Sequence, residues 1–294
     1  MKVMANESLA MRACRALGRE RLAWALRRLH VPVDPGALVL EVGSGGNPYP
    51  RANVLLDAYA ETSERHWVPL IADRPIVLGF VEKLPFRDKS FDFVIASHVL
   101  EHSRDPAAFV SELQRVARAG YIETPDALME RLYPYPDHRL EVTVRGEALV
   151  VRRKATWRND AEMAEYFESK ASPGFRRALI PNHPFDFHVR YYWRDHIPLR
   201  IVNPETTLAE SELPATPPSV TTPPSGSAGV REGLRAACRR WLSQTARNAA
   251  LDLTALLACP ACRESVEKKA EASFTCKGCG RSYPIRNGIP VFVV

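Results

Sequence analysis

The stretch Leu38-Val39-Leu40-Glu41-Val42-Gly43-Ser44-Gly45-Gly46-Asn47-Pro48 decides how the chain is read. Four of its first five residues are apolar, which marks a strand buried in a parallel sheet. An acid and a glycine cluster stand at the strand's C-terminal end, where open α/β sheets bind ligands. The glycines let a ligand approach the backbone. A carboxylate beside them suits an amine or a hydroxyl.

Working outward, Asn53-Val54-Leu55-Leu56-Asp57 reads as a second short strand that ends in an acid. Two carboxylate oxygens there can accept from vicinal ribose hydroxyls. The link between these strands holds Pro48 and Pro50, so a loop or a single turn is expected rather than a helix. Ile76-Val77-Leu78-Gly79-Phe80 is the third strand, and Phe91-Asp92-Phe93-Val94-Ile95-Ala96-Ser97 is the fourth. Asp105-Pro106 opens a helix running to about Arg118, with proline at its first position. Gly120-Tyr121-Ile122-Glu123-Thr124 is the fifth strand. Before the sheet, Leu9, Ala13, Leu17, Leu22, Leu26 and Leu29 recur at helical spacing. They predict one amphipathic helix over residues 7–29, covering the sheet.

Four runs together resemble a class I S-adenosylmethionine-dependent methyltransferase of the type 11 kind. They are Leu40-Glu41-Val42-Gly43-Ser44-Gly45, Val54-Leu55-Leu56-Asp57, Glu82-Lys83-Leu84-Pro85-Phe86 and the run from Ser90 to His102. The resemblance covers about residues 37–125. It implies an α/β fold with a Rossmann-like sheet, and S-adenosylmethionine as cofactor. It further implies that Glu41, Gly43, Ser44 and Gly45 hold the methionine end. Asp57 would bind the ribose, Val81 and Glu82 would lie beside the adenine, and Ser97 would close the floor of the site. Two positions depart from the family's pattern. Asn47-Pro48 stands where a third glycine is usual, and Phe80 where many members carry an aspartate.

The chain has 294 residues, 46% hydrophobic and 25% charged, as in globular proteins. That length holds one α/β domain and a small appendage. A formal charge of +6 permits an anionic partner but is also an ordinary solvated surface. Arg12, Arg15 and Arg19 interrupt any apolar core of a signal peptide, and no apolar run is long enough to span a membrane. A cytoplasmic protein with reduced thiols and no membrane insertion is therefore expected.

The methyltransferase domain is placed at residues 1–203, with an α+β insertion or cap at about 126–203. A hairpin is expected around Gly146, and a helix over 158–170. The run from Phe185 to Arg194 mixes aromatic and basic residues. It suits either a half-buried strand or a surface that stacks on a sugar or base. Residues 204–229 are rich in Pro, Ser and Thr and read as a linker. A helix is expected from about Val230 to Leu257, within a last unit at residues 230–294.

That unit carries Cys259-Pro260-Ala261-Cys262 and Cys276-Lys277-Gly278-Cys279, with 13 residues between the pairs. Cys259, Cys262, Cys276 and Cys279 can set four thiolates around one structural Zn²⁺. With Tyr283-Pro284-Ile285 and Asn287-Gly288-Ile289-Pro290, the segment resembles the small zinc-ribbon activator of tRNA, rRNA and release-factor methyltransferases. Fused here, it would support the enzyme in cis. The apolar run 289–294 would be buried within the ribbon or added as a strand to the large domain.

For the chemistry, His98 and His138 are the candidate bases, although either can be a hydrogen-bonded structural histidine. His98, Glu101 and His102 lie at i, i+3 and i+4. They fit a capped helix start, or a divalent site, Mg²⁺ for example, completed by His138. Some methyltransferases with a Glu-x-x-Glu-His variant resemble the latter. An inverted zinc-protease motif is set aside, because the run follows a sheet strand. The favoured activity is O-methylation of a polar hydroxylated small molecule or glycan. The alternatives are an RNA or protein methyltransferase and a non-catalytic binding protein.

Overall fold

The computed structural model describes residues 6–62, 68–158, 160–167, 169, 174–207, 233, 237, 239–269 and 272–293. Its centre is a six-stranded sheet in the order β3-β2-β1-β4-β5-β8. The strands are β1 (Val39–Val42), β2 (Val54–Asp57), β3 (Ile76–Leu78), β4 (Phe91–Ser97), β5 (Ala117–Pro125) and β8 (His188–Arg194). The first five pair in parallel, and β8 runs antiparallel to β5. The apolar runs have the reason expected of them. Leu40, Val42, Leu56 and Val94 enter one core, whereas Val39, Leu55, Phe93 and Ile95 enter the core on the opposite face. No helix stands between β1 and β2, as the two prolines require.

Helix α3 (Pro106–Val116) is capped by the Asp105 carboxylate, which accepts from the amides of Ala107 and Ala108. It buries Phe109, Val110, Leu113 and Val116 on the first core. The insertion forms a second sheet of β6 (Leu140–Arg145), β7 (Ala148–Arg153) and β9 (Leu199–Ile201). Gly146 takes φ 61° at the hairpin turn. The strand reading of the run from Phe185 to Arg194 holds for β8, with Val189 and Trp193 buried.

Two helices differ from expectation. The first is broken into α1 (Leu9–Ala16) and α2 (Glu20–Leu26), because Gly18 at φ 67° ends one turn and restarts the other. The break rotates the apolar face out of register. Met11 and Ala23 are buried, while Leu9 and Leu17 are exposed. The segment expected as one helix up to Leu257 is interrupted at Ser243-Gln244 and at Leu251-Asp252, around the short helix Thr245–Ala249. Residues 208–232, which hold most of the linker, lie outside the described residues. Gln244 and Asn248 anchor the described part to the large domain by accepting from Asn53 Nδ2 at 3.0 and 2.8 Å.

The four-stranded ribbon sheet consists of β10 (Val266–Lys269), β11 (Ser273–Cys276), β12 (Ser282–Arg286) and β13 (Ile289–Pro290). It continues the central sheet's free edge. Val291 bridges Leu78 of β3 in parallel, and the Phe292 amide donates to the Leu78 carbonyl at 2.7 Å. On the other side of the junction, the amides of Arg87 and Ala258 donate to Leu256 and Pro85 carbonyls at 2.9 and 3.0 Å. Phe292 is 1% exposed and stacks on Tyr283 at 4.5 Å. It shares one continuous core with Phe86 and Leu257. Phe292→Ala is therefore expected to lower stability by about 3–5 kcal/mol in a single cooperative transition. Denaturant titration followed by near-UV circular dichroism checks this. A large-domain transition left in place would show the ribbon to be energetically separate.

Candidate active site

The chain leaves β1 through Gly43 and Gly45, whose φ angles of 65° and 56° suit residues without a side chain. A Cβ on Gly43 would stand 2.2 Å from Val99 Cγ2, so the turn closes tightly on the residues after β4. Glu41 is buried, and its Oε2 accepts from the Tyr49 amide at 2.7 Å. Burial raises its carboxyl to about 7, against the pull of Arg28 and Arg74. Asp57 faces the same turn. Its Oδ2 accepts from the Gly45 amide at 2.9 Å, and its Oδ1 from the Tyr59 amide at 3.2 Å. In the same turn, the buried Ser44 hydroxyl has no hydrogen-bond partner among the described residues. An orphaned polar atom of this kind fits a polar ligand group.

Val81 is buried in a short turn, Val81–Lys83, and Glu82 accepts from Ser103 Oγ at 2.5 Å. Phe80 meets Tyr59 edge to face at 5.8 Å. The Asn47 carbonyl is held by the Arg28 guanidinium. The fold thus brings Glu41, Gly43, Ser44, Gly45 and Asp57 onto one turn. Ser97 is further off, at the end of β4, where it donates to Glu123.

Glu123 was not singled out from the sequence, because an acid inside a strand gives no spacing signal. It is fully buried, and Arg27 grips it through Nε at 2.7 Å and Nη2 at 2.8 Å. Tyr121 and Ser97 donate to it as well. Burial alone would raise its carboxyl, but the bonds from Arg27 and His98 hold it well below the ordinary range. His98 follows β4 in a left-handed conformation, at φ 57°. That places its Nδ1 3.3 Å from Glu101 and its Nε2 3.3 Å from Glu123. Burial lowers the pKa of the ring, and the two carboxylates more than reverse that, raising it above the ordinary value. Its outer face remains exposed. Both ring nitrogens are engaged, so neither offers a lone pair to a substrate proton.

His188, on β8, meets His98 edge to face at 5.6 Å and lies 4.8 Å from Trp24. Its Nδ1 is 2.9 Å from the Pro184 carbonyl, which can only accept, so Nε2 carries the lone pair. Burial and the neighbouring His98 lower its pKa. The aromatic and basic run containing His188 was the only sequence signal for it. His138 lies apart from this group, with its Nδ1 2.7 Å from Glu130 Oε2.

In the ribbon, Cys259 and Cys279 sulfurs are 3.7 Å apart, and those of Cys262 and Cys276 are 3.3 Å apart. Thiolates around a tetrahedral Zn²⁺ stand roughly 3.8 Å from one another. The amides of Gly278 and Cys279 point at Cys276 Sγ, at 3.3 and 3.4 Å. The donor set therefore fits structural zinc. Among the described residues no cluster of oxygen ligands of the kind Mg²⁺ prefers is found.

Residues 52–122 match the methyltransferase domain family, and residues 251–288 match the Trm112p-like protein family. An uncharacterized methyltransferase of Schizosaccharomyces pombe is 33% identical over 108 residues, 32% of this chain and 38% of that protein. The chain thus spans well under half the length of this relative. A UPF0434 protein of Nitrosococcus oceani is 48% identical over 42 residues, 14% of this chain and 71% of that protein. Among solved structures, a chain from the complex of the Haloferax volcanii Trm112 methyltransferase activator with a methyltransferase is similar. Its TM-score is 0.28 and its identity 23%, over 39% of this chain and 57% of that one. A SAM-dependent methyltransferase of Archaeoglobus fulgidus has a TM-score of 0.30 and 21% identity, over 48% and 70%. By the share of the Nitrosococcus protein that it covers, the chain belongs to that UPF0434 family, and it joins a class I methyltransferase fold to a Trm112p-like zinc ribbon.

Proposed function

We propose that the chain transfers a methyl group from S-adenosylmethionine to a hydroxyl of a polar small molecule or glycan. The observation that carries the cofactor half of this reading is the turn after β1. Two acids converge there on a glycine bend that holds an orphaned buried hydroxyl. In this reading Glu41 receives the methionine ammonium, and Asp57 the ribose. Val81 and Glu82 border the adenine. The bound cofactor supplies an electrophilic methyl, and the chain's own residues must orient the acceptor and take its proton.

The base is assigned here to His188 rather than to His98 or His138. Nε2 of His188 is the open nitrogen beside the β4 end, while His98 is held between two carboxylates. His98 and Arg27 instead keep Glu123 ionised and fix the floor at Ser97. A macromolecular acceptor is the second reading, favoured by the Trm112p-like match. Mass spectrometry of methyl transfer against hydroxylated metabolites, glycans and RNA separates the two.

Cofactor binding should depend on pH through Glu41, which faces Arg28, Arg74 and Asp57. A folded carboxyl near 7 is neutral below that pH and charged above it. S-adenosylmethionine affinity is therefore expected to rise as pH passes upward through about 7. Glu41→Gln should flatten the dependence. Calorimetry on either side of neutrality checks it, and no binding by the intact chain at any pH removes the reading.

His188→Asn should lower turnover by about 10²–10⁴-fold and leave cofactor affinity unchanged. His188 faces His98, Glu123 and Arg27, and its pKa lies below the ordinary value. With S-adenosylmethionine held saturating, so that Glu41 does not enter, the wild-type rate should therefore fall on the acid side of 6.5, as the ring gains its proton. A pH-rate profile tests this, and an acid limb that survives in His188→Asn would assign the base elsewhere.

A further inference from the structure

Next to the methyl-transfer site, the turn Leu100–His102 and the loop from Tyr135 to Arg139 are tied together by the Arg139 amide, which donates to the Glu101 carbonyl at 2.7 Å. This tie brings Glu101, His102 and His138 together. One ligand atom from each lies within 4.8 Å of the others.

The surroundings of each group leave a lone pair free. The Glu101 carboxylate is 1% exposed, and among the described residues neither oxygen accepts a hydrogen bond of ordinary geometry. Its nearest cation is His98, with Nδ1 3.3 Å from Oε1. That one long contact reaches a single oxygen, and an ionised carboxylate buried so deeply is fully paired or coordinates a metal. The two imidazoles are already oriented. His138 Nδ1 donates to Glu130 Oε2 at 2.7 Å, and Lys154 Nζ, buried with it, donates to Glu130 Oε1 at 2.8 Å. His102 Nδ1 lies 3.2 Å from the Asp137 carbonyl, which fixes its proton on that nitrogen. In the neutral form of both rings Nε2 is therefore the atom with the lone pair, and a bound cation would displace the second proton that the acids beside His138 favour. The rings stand 4.7 Å apart at 89°, so they present different edges to a shared centre. A carboxylate or carbonyl on the far nitrogen is the support that metal-binding histidines have.

We propose that Glu101, His102 and His138 form a second metal site, for a borderline divalent ion such as Zn²⁺, with a position left open for an acceptor oxygen. Two imidazoles and one carboxylate favour such an ion over Mg²⁺ or Ca²⁺. Three protein ligands leave room for an exogenous one, unlike the closed four-cysteine site. His98 joins this site to the other, because it bridges Glu101 and Glu123. A hydroxyl bound to the ion would lose its proton more readily. The ion's binding does not rest on the methyl-transfer reading.

The probe is Co²⁺, titrated into the full-length chain after removal of metal, with the thiols kept reduced. Two classes of site are expected. The four-cysteine site gives an intense thiolate-to-metal charge-transfer band. The second site gives weaker visible bands without charge transfer. In His102→Gln and in Glu101→Gln the weaker bands should vanish while the charge-transfer band and the far-UV circular dichroism persist. A wild-type chain that shows only the thiolate class overturns the proposal, whatever the variants do. So does a second class that survives both substitutions. S-adenosylmethionine affinity, measured on the same samples, reports the methyl-transfer reading separately.

Discussion

The buried pair between Arg27 and Glu123 holds the site side of this molecule in place. A carboxylate with no exposure would carry a desolvation cost of several kcal/mol if left alone. Glu123 is instead surrounded by donors from several elements. Arg27 follows α2, Ser97 and His98 end β4, and Tyr121 shares β5. One charge therefore fixes the N-terminal helices against the sheet and sets the direction in which β4 leaves it. The left-handed backbone at His98 follows from the same demand, since the ring must reach two carboxylates at once. Loss of the Arg27 side chain would leave the acid with His98 and two hydroxyls as its donors, and the arrangement around it would relax together.

The sheet was legible in the sequence because its strands are apolar on both faces, and because acids and glycines interrupt those runs only at the strand ends. Gly43, Gly45 and Asp57 fall on the turn where the motif put them. Glu41 and Asp57 converge as two strand ends predict. The four cysteines were legible because metal knuckles are local in sequence. What the sequence hid was the charged interior. Arg27 and Glu123 are 96 residues apart, and the pairing of an arginine in a helical run with an acid in a strand has no local signature. The contact of His188 with His98 was hidden in the same way, since the two rings are 90 residues apart and meet only across β5. The break in the first helix was hidden for a different reason. A regular apolar spacing continued across Gly18, and a glycine with a left-handed φ cancels the periodicity on either side of it.

The acid groups at the centre also divide the work between them. Glu41 is pushed toward neutrality by burial, with Tyr49 as its near donor. Glu123 is equally buried, yet Arg27 and His98 keep it charged. Glu101 is held down by His98 as well, despite the lack of well-formed hydrogen bonds. Burial alone therefore does not set the charge of these carboxylates. The number and geometry of the donors do, and these differ sharply from one carboxylate to the next.

The bridge between Val291 and Leu78 has a consequence for company. A strand edge has one row of amides and carbonyls, and it can be zipped only once. In this chain β3 is already closed by a segment tethered to the same polypeptide, at the high local concentration that tethering confers. A free zinc ribbon arriving from solution would have to displace the resident one to reach that edge. Covalent attachment thus makes the pairing exclusive and fixes its ratio at one ribbon to each sheet, independent of how much of any separate ribbon protein surrounds it.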